Sequence, residues 1–173
     1  MDRVIITGAN GSGKTHLARR MSDARPDVPL VHYDALKLTR NWERRPKDVV
    51  SHDLASALKT PCWIVEGGPS CLPVALPYAD AVVWLDPPLS LRALRLFVRP
   101  VTFRNRTRPE LPDDNPDHLI SQWRFGWRSL RADALFRRTI HDTVAAATIP
   151  VIRCHTRVDV DSALSLWRTP PHP

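Results

Sequence analysis

The sequence predicts an α/β fold, a parallel sheet with helices on both faces, and three observations carry that expectation. Short apolar runs alternate with amphipathic stretches along the whole chain. The first run leads straight into Gly8-Ala9-Asn10-Gly11-Ser12-Gly13-Lys14-Thr15, and a helical pattern starts behind it. The second, third and fourth runs each stop at a carboxylate: Asp34, Glu66 and Asp86.

Taken in order, Arg3 to Thr7 reads as a buried strand because Val4, Ile5, Ile6 and Thr7 are all β-branched. His16 to Met21 reads as a helix with Leu17, Ala18 and Met21 on one face. Leu30 to Tyr33 is a second strand. Lys47 to Leu58 is helical, with Val50, Leu54, Ala57 and Leu58 at the required spacing. Trp63 to Val65 and Ala81 to Leu85 are the third and fourth strands, the latter followed by Asp86-Pro87-Pro88. Leu89 to Val98 forms a helix through Leu91, Leu94 and Val98. The stretch from Pro100 to Pro116 has no period and reads as a lid over about residues 100–117, bearing Arg104, Arg106 and Arg108 at alternate positions. Guanidinium forks match phosphate oxygens and stay charged, so these three arginines are candidates to close over phosphates. Trp123 and Trp127 then form one helical stripe, expected in the core, beside Arg124, Arg128 and Arg131, which face either the cleft or solvent. Ile149 to Ile152 is the fifth strand and Val160 to Trp167 the last helix. Residues 169–173, rich in proline, are expected to fray.

The 173 residues, 43% of them hydrophobic, suit a single domain over residues 1–168. No apolar stretch approaches the roughly 18 residues of a membrane span, and a strand beginning at Arg3 predicts no signal peptide. Three cysteines without a C-x-x-C pair fit a reduced cytoplasm. The net charge of +7 admits either nucleic acid or anionic small substrates. The arginines concentrate between Arg92 and Arg131 rather than along an aromatic-interleaved strand surface, so small anionic substrates are favoured and nucleic acid is the alternative.

The glycine-spaced run is a complete G-x-x-x-x-G-K-[ST] phosphate loop. Its glycines permit turns that aim successive N–H groups at an anion, and the helix start behind them adds partial positive charge. Candidate nucleotide-binding residues are Gly8, Ala9, Asn10, Gly11, Ser12, Gly13, Lys14, Thr15 and His16. Lys14 would sit at the β- and γ-phosphates, and the Thr15 hydroxyl would ligate Mg²⁺. Asp34 and Glu66, at the carboxyl ends of strands beside this loop, are candidates for metal-associated or substrate-orienting carboxylates. Asp86, just before Pro87-Pro88, reads rather as the start of the next turn. With no Asn-Lys-x-Asp stretch in the chain, ATP is the expected donor.

Several segments carry a resemblance: Asp34-Ala35-Leu36, Trp42 with Arg44, Arg45 and Pro46, Trp63 to Gly67, Ala79 to Asp86, and Arg104 to Leu111. Together with the loop they resemble the bacterial P-loop proteins related to adenylate kinase that are often labelled DNA topology modulation proteins. The wider group is similar to nucleoside monophosphate kinases, shikimate kinase and gluconate kinase. That resemblance implies a five-stranded parallel sheet with an arginine-bearing lid. It implies Asp34 at the acceptor, Glu66 where relatives commonly carry Asp, Arg104, Arg106 and Arg108 in the lid, and adenine near His155-Thr156-Arg157. The expected activity is Mg²⁺-dependent transfer of the ATP γ-phosphoryl group to a small acceptor, with Lys14, Asp34, Glu66 and the lid arginines catalytic. The alternative is a nucleotide-binding regulatory or nucleic-acid-binding protein with little turnover.

Overall fold

The structure is a computed structural model and describes residues 1–168; the tail expected at 169–173 lies outside them. Strand β1 (Arg3–Gly8) forms the centre of the sheet because Val4, Ile5 and Ile6 have no polar side to expose, and all three are fully buried. Four further parallel strands flank it: β2 (Leu30–His32), β3 (Trp63–Gly67), β4 (Ala81–Leu85) and β5 (Val151–Cys154), in the order β2-β3-β1-β4-β5. The register pairs Ile5 with both Val65 and Val82. Alternate residues of a strand point to opposite faces, which splits the core in two. On one face Ile5, Val65 and Val82 pack against α3 (Lys47–Ala57), α4 (Leu72–Ala75) and α7 (Asp133–Ala145) through Leu54, Leu72 and Ile140. On the other, Val4, Ile6 and Val83 meet α1 (Lys14–Ala24) and α8 (Arg157–Arg168) through Leu17, Met21 and Trp167.

The differences from expectation are local and have physical causes. Tyr33 leaves the second strand and opens α2 (Tyr33–Lys37), so Asp34 stands in a first helical turn. Strand β3 runs two residues past Val65, which puts Glu66 inside the sheet. Strand β5 starts after Pro150, which has no N–H to give to a ladder. Helix α5 (Leu89–Thr102) continues through Pro100 and is longer than its pattern suggested. The sequence reading passed over α7, whose buried apolar residues are only Ile140 and Val144 while Leu135 is exposed.

The core position expected for the tryptophans is overturned. In α6 (Leu119–Arg131), Trp123 is 37% and Trp127 54% exposed. The buried face is instead Gln122, Gly126 and Ser129. A Cβ on Gly126 would lie 3.4 Å from the Leu96 Cβ, so the small residue lets α6 approach α5 and turns the indoles outward. No helix among the described residues is long and apolar enough to cross a membrane.

Candidate active site

Strand β1 ends in the phosphate loop, and α1 begins at Lys14 immediately after it. Gly8 adopts φ 151°, where an added Cβ would fall 2.4 Å from the Leu85 carbonyl of β4. Only glycine lets the loop leave the sheet so close to its neighbour. Helix α5 braces the loop from its side: Arg92 Nε donates to the Asn10 carbonyl at 2.9 Å, and Arg95 Nη1 donates to the Ser12 carbonyl at 2.9 Å. Arg92, 1% exposed, also pairs with Asp133 of α7. From α6, Ser129 Oγ accepts a 3.0 Å bond from Asn10 Nδ2.

The loop opens on a cleft of about 630 Å³. Gly11, Gly13, Lys14, Thr15 and His16 form its floor, with Asp34 and Glu66 at the strand ends. Arg95 and Arg99 of α5, with Arg108 and Glu110 of the lid, complete the charged lining. Lys14 donates to the Ala9 carbonyl of its own loop at 3.3 Å. Burial lowers its pKa below the ordinary lysine value, despite the opposing fields of Glu66 and Asp34. Glu66, 4% exposed, accepts from Thr15 Oγ1 at 3.4 Å and lies 3.0 Å from His32 Nδ1, its register partner on β2. Asp34 is ion-paired with Lys37 at 2.5 Å. Burial alone would raise the Asp34 pKa, but Lys37, Lys14 and Arg108 hold it below the usual carboxylate range.

Several sequence-derived candidates fall elsewhere. Arg104 and Arg106 are exposed and do not line the cleft; of the three lid arginines only Arg108 does. Asn105 takes a left-handed φ of 55°, so the alternation expected of an extended segment is broken. Asp86 is also turned away from the cleft: it is buried between Arg137 at 2.9 Å and Arg153 at 2.5 Å. Arg124, Arg128 and Arg131 lie off the cleft as well, and His155 Nδ1 is 3.0 Å from the Asp86 carbonyl. In their place stand Arg95 and Arg99, which the sequence reading missed. The signal was there in Arg92-x-x-Arg95-x-x-x-Arg99, whose spacing of three and four puts all three on one helical face. Burial and the nearby Arg108 charge bring the Arg99 pKa down to about 10.

The donors fit a hard cation in one respect. Thr15 Oγ1 and Glu66 Oε1 are neighbouring oxygens of the kind Mg²⁺ takes. No cluster of three or more His, Cys, Asp or Glu side chains able to hold a metal occurs among the described residues, so phosphate oxygens and water would have to supply the remaining ligands.

Known proteins resemble the chain in fold. Shikimate kinase from Bacteroides thetaiotaomicron superposes with a TM-score of 0.55 at 17% identity, over 95% of each chain. Shikimate kinase from Acinetobacter baumannii in complex with shikimate gives 0.53 at 19% identity, over 96% of this chain and 90% of that one. A sugar kinase from Janibacter sp. HTCC2649 gives 0.52 at 16% identity, over 94% and 91%. No family profile and no curated protein matches the sequence. The five-stranded parallel sheet with flanking helices is therefore the α/β fold that these kinases share.

Proposed function

We propose that the chain transfers the γ-phosphoryl group of ATP to a small acceptor, with Mg²⁺ and in the manner of a nucleoside monophosphate kinase. The observation that carries this reading is the convergence of Lys14, Thr15, Asp34, Glu66, Arg99 and Arg108 on one cleft. Phosphoryl transfer asks a protein mainly for positioning and charge stabilisation. The loop amides and Lys14 bind the β- and γ-phosphates of the donor. Thr15 and Glu66 would hold Mg²⁺, which neutralises charge on the phosphates when bound. Arg99 and Arg108 face the group in transit and offset the charge that spreads over its oxygens.

Asp34 orients the acceptor. For a hydroxyl acceptor, the new O–P bond forms as the bond to the β-phosphate oxygen breaks, and the hydroxyl proton passes to Asp34. A carboxyl held below the usual range is a weak base, so that proton moves late. ADP leaves with the bridging oxygen.

The test is incubation with Mg·ATP and a panel of nucleoside monophosphates, nucleosides and small polyols, following ADP and phosphorylated product. Acceptor-dependent product supports the kinase and names its substrate class. Lys14→Ala is expected to abolish turnover in a folded protein, and intact turnover there sinks the reading.

One observation favours a second reading, a nucleotide-gated protein that binds single-stranded nucleic acid. Trp123, Trp127, Phe97 and Ile120 line a surface groove of about 550 Å³ with Arg124 and Arg128, which have no carboxylate partner among the described residues. Indole faces stack bases and guanidiniums follow phosphates. Tight oligonucleotide binding with a steep salt dependence, together with acceptor-independent ATP turnover, would favour this reading over the kinase.

A further inference from the structure

We propose that Asn115 and Trp42 latch the lid loop to the acceptor-side loop and so position Arg108 in the cleft. The inference rests on the part given to Arg108 in phosphoryl transfer above.

Asn115 has no exposed surface, yet it lies in the irregular segment between α5 and α6. Its side chain reaches across to the loop after α2. Nδ2 donates to the Thr39 carbonyl at 2.6 Å, and Oδ1 accepts from the Trp42 backbone N–H at 2.5 Å. The same Nδ2 lies 3.0 Å from the Pro112 carbonyl, and the Asn115 N–H donates to Thr107 Oγ1 at 3.0 Å, so one amide ties its own loop and the facing one. Two more bonds cross the gap: Asn41 N–H to the Asp114 carbonyl at 2.9 Å, and Trp42 Nε1 to the Pro116 carbonyl at 3.0 Å.

Backbone conformation points to the same place. The left-handed non-glycine residues among those described are Asn41, Trp42, Asn105 and Asp114, all within these two loops. A bulky residue such as Trp42 holds φ 61° only where its surroundings over-determine it.

The latch ends at Arg108. Its guanidinium lies 5.6 Å from the centre of the Trp42 ring, close enough for a cation–π contact. Its Nε is 3.3 Å from the Asp117 carboxylate. Asp117 has no exposed surface, and neither of its carboxylate oxygens nor the Arg108 Nε forms a well-directed hydrogen bond. Charge and the indole face therefore hold Arg108 from behind, and its Nη1 donates to Glu110 Oε1 at 3.4 Å. Displacing Trp42 removes that backing from a group that lines the cleft with Asp34.

Two experiments on the full chain separate the latch from the kinase reading. In hydrogen exchange, Asn115→Ala is expected to lose amide protection over residues 39–45 as well as 103–117, with β1 and α1 unchanged. Protection retained at 39–45 overturns the latch whatever the enzyme does. The second experiment measures single-turnover phosphate release from Mg·ATP, with water as acceptor, for Asn115→Ala, Arg108→Ala and the double variant. Each single change is expected to slow release about tenfold or more, with the double no slower than Arg108→Ala. Multiplying losses overturn the positioning role. Unchanged release in Arg108→Ala overturns the role given to that arginine, while Lys14→Ala still tests the kinase. Trp42→Phe, which keeps a ring face, is expected to retain more activity than Trp42→Leu; equal losses count against the cation–π contact.

Discussion

Lys14 is a cation placed where a cation is costly. Burial lowers its pKa, so folding disfavours its charged form at every pH below the ordinary lysine value. That penalty is relieved as pH rises and, on the proposed function, when a phosphate arrives. Lys14→Met is therefore expected to raise the melting temperature of the ligand-free protein by about 1–3 °C at neutral pH, the shift that a fraction of a kcal/mol produces in a chain of this size. The same variant should show no stabilisation by nucleotide; thermal melts with and without Mg·ATP check both.

Asp34 has the opposite sign. Its folded pKa is depressed, so the stability it contributes is present above the ordinary carboxylate value of about 4 and is lost as pH falls through the folded value. Asp34→Asn should lower stability at neutral pH and leave it unchanged in strong acid, as urea titrations at several pH values would reveal. Its side chain is 46% exposed, so the effect is small.

Among the elements, α5 matters most to the cleft. One helix offers Arg92 and Arg95 to the loop carbonyls and Arg99 to the cleft, so any shift of α5 moves floor and wall together. Strand β4 makes a useful contrast. Its terminal carboxylate, Asp86, is spent on Arg137 and Arg153, whereas that of β3, Glu66, faces Thr15. Asp86→Asn is expected to cost about 2–3 kcal/mol of stability, near the low end for a broken buried pair because both arginines remain partly in water. Its turnover should be unchanged. Glu66→Gln should do the reverse, holding stability within about 1 kcal/mol while turnover falls by tenfold or more. Urea denaturation and ADP release on the two variants separate the roles.

For the molecule as a whole, the sheet is a floor and the cleft with its lid lies above its carboxyl edge. β1 is flanked by β3 and β4 on either side, and helices cover both faces. A ligand that binds only the folded state adds free energy by mass action: about 2.7 kcal/mol at a hundredfold excess over Kd. For a chain of this length that corresponds to a melting shift of roughly 5–11 °C. Mg·ATP is expected to produce such a shift in the wild type and none in Lys14→Ala.

What local chemistry dictates is legible in the sequence. β-Branched runs make strands, and Ala81–Leu85 was bounded to the residue. The glycine spacing of residues 8–15 allows the positive φ that Gly8, Gly11 and Gly13 adopt, with Lys14 opening α1. Asp34 and Glu66 follow from the rule that parallel strands present their carboxyl ends to ligand. The rest depended on what each segment meets. Arg104 and Arg106 look equivalent to Arg108 in sequence, but a left-handed Asn105 and bonds to a distant loop leave only Arg108 in the cleft. Trp123 and Trp127 are as apolar as any core residue, but Gly126 packs on Leu96 of α5 and Ser129 meets Asn10 of the phosphate loop, and these take the buried face. Periodicity reports that a helix has two faces, and packing against a neighbour decides which one is hidden. The chain alone determined the phosphate loop and the sheet that carries it. Tertiary structure decided which cations reach the cleft, because that depends on contacts between residues scores of positions apart.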